Sequence, residues 1–250
     1  WNTNLQSMLY CEVPIEGGRP QERGDYNIPG GPGNGAKIQV DFAETAGQGV
    51  GYFLPTGNPM DRLEVAGLGT IDASMIDIGN PHVFIRAKDI GLKGTETADQ
   101  IDADKDLTEL LERIRSHAAF TMGMISDPAR GKQESPAAPI IAMISPPHDY
   151  EAPLSDRMVK AEESDFLSRL MFMQQMHKTY AGTSTVCTGI ASKLPDTIVY
   201  EACREEAQDR IEVRIGHPAG VIETESVVAR GVDVVDIVAM RKHILARDDV

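Results

Sequence analysis

Met176–Leu194 reads M-H-K-T-Y-A-G-T-S-T-V-C-T-G-I-A-S-K-L, and the placement of this stretch decides the fold. Val186, Ile190 and Leu194 recur at i, i+4 and i+8, which predicts a helix with one apolar stripe. Its other positions are small: Thr185, Cys187, Thr188, Gly189, Ala191 and Ser192. Small side chains let strands approach closely, so this is expected to be the central helix of a sheet that wraps around it. Gly182, Thr183 and Ser184 would open the helix, where free backbone N–H groups and hydroxyls suit a carboxylate or a phosphate. Two readings of Cys187 stand side by side: a thiol shifted toward thiolate by the helix dipole, or a small buried hydrophobe.

Upstream, Ser155 to Lys178 carries Phe166, Leu167, Leu170, Met171 and Met173 in a pattern that predicts a long helix. Downstream, Pro195-Asp196 stops the central helix. Strands are expected at Thr197–Ala202, Arg210–Gly216 and Val221–Ala229, the last two joined by the turn His217-Pro218-Ala219-Gly220. Asp233 to Arg247 reads as a closing helix. Further back, Pro139–Ser145 is a short apolar run bounded by prolines, the pattern of a buried strand. Asp106–Ser116 presents Leu107, Leu110, Leu111 and Ile114 on one helical face. Strands at Thr70–Ile78 and Val83–Ala87 flank Gly79-Asn80-Pro81-His82. Ile38, Val40 and Phe42 alternate with polar residues as a half-buried strand, with a second strand expected at Val50–Leu54. Pro29–Gly35 must be a loop, since prolines and glycines at that density sustain neither helix nor ladder. Strands and helices in this irregular order give an α+β chain with mostly antiparallel sheets.

A net charge of −14 over 250 residues without a Lys/Arg cluster excludes a nucleic-acid role, and a small anionic substrate would need a local pocket. No apolar run is long enough for a membrane helix. Three cysteines without C-x-x-C spacing argue against a disulfide framework and a zinc site and suit a reducing cytoplasm. No H-x-x-x-H pair supports a metal. The chain opens Trp1-Asn2-Thr3-Asn4, without Met and in mid-strand, so a preceding segment is expected. With part of its core and a sheet edge uncovered, copies of the chain are expected to associate into a homo-oligomer.

Asn80, held at a strand end, offers amide donors and an acceptor to a carboxylate, although a plain turn is the simpler reading. G-N-P-H at Gly79–His82 resembles the substrate-binding turn of diaminopimelate epimerase. An ordered set of motifs resembles that superfamily's PrpF-type 2-methylaconitate isomerases, with their oxalomesaconate and methylitaconate relatives. The set is N-T-N near the start, P-G-G-P-G-N-G-A-K-I, L-P-T-G-N-P-M-D at Leu54–Asp61, S-M-I-D-I-G-N-P-H-V-F-I-R-A-K-D-I-G at Ser74–Gly91, M-H-K-T-Y-A-G-T, and I-G-H-P-A-G at Ile215–Gly220.

The resemblance implies a diaminopimelate epimerase-like fold with two pseudo-symmetric domains, each a sheet around a central helix. Residues 1–66 would be the end of an incomplete first domain, 67–232 the second domain, and 233–250 a closing helix. It implies cofactor-free movement or isomerisation of a C=C bond in a small di- or tricarboxylate by proton abstraction and return. On this resemblance Asn80, Thr183, Ser184 and Thr185 would bind the substrate carboxylate, with His82 and Lys178 as supporting charges. The family's Cys in a C-G-N motif and its Lys are not found, so the main acid–base pair is expected upstream of Trp1, leaving Cys187 as a catalytic candidate by pseudo-symmetry. Met240-Arg241-Lys242-His243 stands where the family has R-T-A-R. A cysteine-based amino-acid epimerase and a non-catalytic binding protein of the same fold are the alternatives.

Overall fold

The computed structural model describes residues 1–3, 5–230 and 235–245, the last strand by its backbone. The strands of the main sheet are β1 (Tyr10–Glu12), β2 (Lys37–Asp41), β3 (Asp61–Val65), β4 (Gly69–Ile78), β5 (Asn80–Arg86), β6 (Ile140–Ser145), β7 (Phe166–Phe172), β8 (Gln175–Met176), β9 (Glu212–His217), β10 (Gly220–Arg230) and β11 (Val235–Leu245). The principal helices are α1 (Ala98–Ala103), α2 (Lys105–Thr121), α3 (Gly182–Ala191) and α4 (Ile198–Ala202). The sheet runs β1-β2-β11-β10-β9-β7-β6-β5-β4-β3, with β8 hydrogen-bonded to β7. Its pairs are antiparallel except β5 with β6 and β7 with β9. This is the expected mostly antiparallel α+β architecture.

Helix α3 lies in the curl of this sheet and touches β4, β5, β9, β10 and β11. The expectation of a central helix holds, and Gly189 shows why its residues are small. A Cβ on Gly189 would stand 2.5 Å from Ser226 Oγ and 2.6 Å from Thr224 Cγ2, so strand β10 could not approach. Strand β6 splits its side chains between two cores. Ile140, Ala142 and Ile144 join Val186, Ile190 and Leu194 on the α3 side. Ile141 and Met143 join Leu111, Ile114 and Ala118 of α2 on the other. A strand buried on both faces reads as a continuous apolar run, which is what Pro139–Ser145 displays.

The same effect corrects the predicted helix at Ser155–Lys178. Phe166–Phe172 is strand β7, paired with β6 on one side and β9 on the other, with Phe166 and Leu170 on the α3 face and Met171 on the α2 face. Thr197–Ala202, predicted as a strand, is helix α4, because Thr197 caps it by accepting the Tyr200 N–H at 3.2 Å. Val50–Leu54 forms turns rather than a strand. The closing helix is also corrected: 235–245 is strand β11, because its backbone is paired with β10 and with β2, while 233–234 and 246–250 lie outside the described residues. Strand β3, absent from the sequence reading, pairs with β4.

The candidate site at the start of the central helix

Strands β4 and β5 are joined by Gly79 alone, at φ +67°. A Cβ there would meet Thr183 Cβ at 3.2 Å, so the glycine allows both the left-handed turn and its contact with the start of α3. The turn therefore delivers Asn80 to the first turn of α3, where Asn80 Nδ2 donates to Thr183 Oγ1 at 2.8 Å. With its oxygen accepting from Asn80, the Thr183 hydroxyl proton stays available to another acceptor. The helix carries no side-chain cap. Its leading N–H groups have no intrahelical partner, and Gly182 and Thr183 are only half-buried.

His82 stands behind this turn and is fully buried. Its Nδ1 is 2.7 Å from the Asn80 carbonyl, an acceptor only, so Nδ1 carries the proton and Nε2 accepts from Ser184 Oγ at 2.8 Å. The ring stacks on Phe84 at 5.7 Å between centroids. Burial lowers the His82 pKa to about 4 against the opposing bond to Asn80, so the ring is neutral near pH 7. Its predicted role as a supporting charge is thereby corrected: it is a neutral strut that fixes Ser184 and the Asn80 carbonyl. The unfolded chain takes up a proton below pH 6.5 that the folded chain accepts only near pH 4. The stability contributed by neutral His82 is complete above 6.5 and is lost as pH falls through that window. Urea midpoints measured across it should fall, and fall less steeply in a His82→Gln variant.

Ser184 and Thr185 are buried, and Thr185 Oγ1 donates back to the Ala181 carbonyl at 3.0 Å. Asn80, Gly182 and Thr183 are the members that reach the surface. Lys178 does not join them. Its side chain is 60% exposed and its ammonium pairs with Asp99, 81% exposed, at 2.9 Å. Cys187 points into the core, with Sγ 3.8 Å from the Ile76 carbonyl. Burial first, and the Asp77 carboxylate second, push its pKa well up, which overturns the thiolate expectation. All three cysteines are free and only Cys11 is exposed. A thiol reagent should label Cys11 alone in the native protein and all three in urea, which mass spectrometry resolves.

Two positions went unread in the sequence. Asp77, buried at the end of β4, accepts the N–H groups of Gly49 and Val50 at 2.7 Å each. Desolvation raises its pKa against those two bonds. Thr45 Oγ1 accepts the Gly79 N–H at 2.9 Å. Together they clamp the 45–50 loop onto the β4–β5 turn. An acid inside the apolar run S-M-I-D-I-G was the available signal for Asp77. Thr45 had none, because its partner, Gly79, lies far along the chain.

A model of the PrpF protein family matches residues 1–247. The chain is 44% identical over 230 residues to the 3-methylitaconate isomerase of Eubacterium barkeri, covering 92% of this chain and 60% of the relative. It is 38% identical to the 2-methyl-aconitate isomerase of Shewanella oneidensis, covering 89% of this chain and 56% of that protein. The crystal structure of methylitaconate-delta-isomerase superposes with a TM-score of 0.87 at 42% identity, over 98% of this chain and 63% of that one. The chain thus spans about 60% of the length of the relative from Eubacterium barkeri.

Proposed function

The chain belongs to the PrpF family, and on that premise we propose that it forms the carboxylate-holding half of an isomerase acting on a C=C bond in a small unsaturated di- or tricarboxylate. The observation that carries this is the Asn80–Thr183 contact at the open start of α3. A carboxylate seated there accepts the leading N–H groups of the helix, the Thr183 hydroxyl and the remaining Asn80 amide N–H. When a base removes the proton beside that carboxylate, negative charge spreads into its oxygens, where fixed donors and the helix dipole stabilise it. Return of a proton at the far carbon of the allylic system moves the double bond, with no net redox change.

The acid and base are proposed to come from another part of the protein. Near this turn His82 is neutral and tied at both nitrogens, and Cys187 is buried. That burial also disfavours the paired-cysteine amino-acid epimerase. The expected boundary at 66/67 separates two paired strands, β3 and β4. We therefore propose the Pro55–Pro59 turn as the division between the two units. Among the described residues no helix is long and apolar enough to cross a membrane, and a cytoplasmic site is proposed on the free cysteines.

The test is turnover by the complete protein in D2O with 3-methylitaconate, 2-methylaconitate and 4-oxalomesaconate. Conversion of at least one with deuterium entering the product supports the reading. Absence of both conversion and exchange with all three would sink it.

A further inference from the structure

His217 ends strand β9, is 1% exposed and adjoins a cavity that the isomerase reading does not use. The cavity, about 160 Å³, has Pro29, Gly30, Tyr180, His217 and Ile222 among its walls. The His217 Nδ1 accepts the Ala219 N–H at 3.3 Å, so the ring proton sits on Nε2. That Nε2 is buried and has no hydrogen-bond partner among the described residues. A buried donor left unpaired costs about 1–3 kcal/mol, so an acceptor group brought to it would be stabilising.

The sign of that group follows from Arg169. This guanidinium is fully buried, yet its bonds go to the carbonyls of Glu96, Ser168 and Gly216, and Nη2 has no partner. Its face lies 4.8 Å from the centre of the Tyr150 ring. No carboxylate forms an ion pair with it among the described residues. The Glu96 carboxylate acts on it without forming an ion pair, and a buried charge so weakly offset is unfavourable, with a field that extends to His217. Burial first and the positive charge of Arg169 second hold the His217 pKa down at about 3, so the ring donates as a neutral group.

We propose that this cavity is a second carboxylate pocket, in which His217 Nε2–H donates to a small carboxylate group whose charge offsets that of Arg169. Its volume admits a group the size of acetate or propionate, since a water occupies about 30 Å³ of liquid. The pocket stands whether or not the α3 turn binds a carboxylate, because it shares no lining residue with that turn.

The experiment titrates the protein with sodium acetate and, separately, sodium chloride at matched ionic strength, by calorimetry and by the NMR signal of His217. Acetate should bind saturably and shift the ring signal, while chloride does not. The His217→Gln variant, which keeps an N–H donor, should retain binding. The His217→Phe variant should bind about tenfold more weakly, the value of one hydrogen bond to a charged group. Asn80→Ala should leave the acetate shift of the His217 ring signal as it is in the wild type. Loss in Asn80→Ala with retention in His217→Phe would move acetate to the α3 turn and overturn the pocket, as would an acetate response no different from chloride. If His217→Phe does not fold, the ring signal with acetate against chloride decides the matter on the wild-type protein.

Discussion

Replacing Asn80 by alanine is expected to lower kcat/KM of the complete protein for the unsaturated carboxylate proposed as its substrate by about a hundredfold, while changing the thermal midpoint little. The amide is half-buried at the edge of the site, so its removal creates no core cavity. What is lost is the bond that sets the Thr183 hydroxyl and, on the proposed reaction, a donor to the carboxylate where charge develops. Thr183→Val tests the same contact from its other side. Because the two groups act through one hydrogen bond, the double variant should lose much less than the product of the single losses. Steady-state kinetics on the four proteins checks this. Independent, multiplicative losses would show that Asn80 and Thr183 do not act together.

The second large effect concerns stability. Arg115 on α2 is 1% exposed and holds Glu112 by a two-pronged contact, Nε to Oε2 at 2.8 Å and Nη2 to Oε1 at 2.6 Å. Its Nη1 donates to the carbonyls of Ser135 and Ala138 at 2.7 and 2.8 Å, which pins the segment leading into β6. Burial alone would raise the Glu112 pKa, but the Arg115 fork, with Gln174 and Ser116, holds it below the ordinary value. Arg115→Met leaves that carboxylate buried and without its charge partner, which should cost about 3–5 kcal/mol. A Glu112→Leu, Arg115→Met pair should regain part of the loss, because the isolated charge is gone. Urea unfolding of the wild type, the single and the double variant reads both effects. A single variant within about 1 kcal/mol of wild type would mean that the pair behaves as a surface contact.

How much of this was legible in the sequence depended on whether the deciding contact was local. The α3 helix was legible because its stripe and its small residues lie within one stretch. The turn at Gly79 was legible for the same reason, although Asn80, Pro81 and His82, read as part of it, already belong to β5. Strand β7 was not, since F-L-S-R-L-M-F becomes a strand only through its pairing with β6 and β9, and its two buried faces erase the alternation. Helix α4 was misread because Ile198, Val199 and Tyr200 favour strands, and the Thr197 cap outweighed that preference. In the site, residue types pointed to Asn80, Thr183 and Ser184. They did not show that His82 is neutral, that Lys178 turns to Asp99, or that Cys187 faces the core, because burial and partners come from distant strands.

The start of α3 and Asn80 are proposed to hold a substrate carboxylate. This is tested most directly by titrating the protein with the saturated tricarboxylate tricarballylate and following the amide signals of Gly182 and Thr183 and the Asn80 side-chain NH2. Saturable shifts of all three sites, absent with the corresponding tricarboxamide and weakened in Thr183→Val, are the predicted result. Binding of tricarballylate that leaves these three signals unmoved would contradict it.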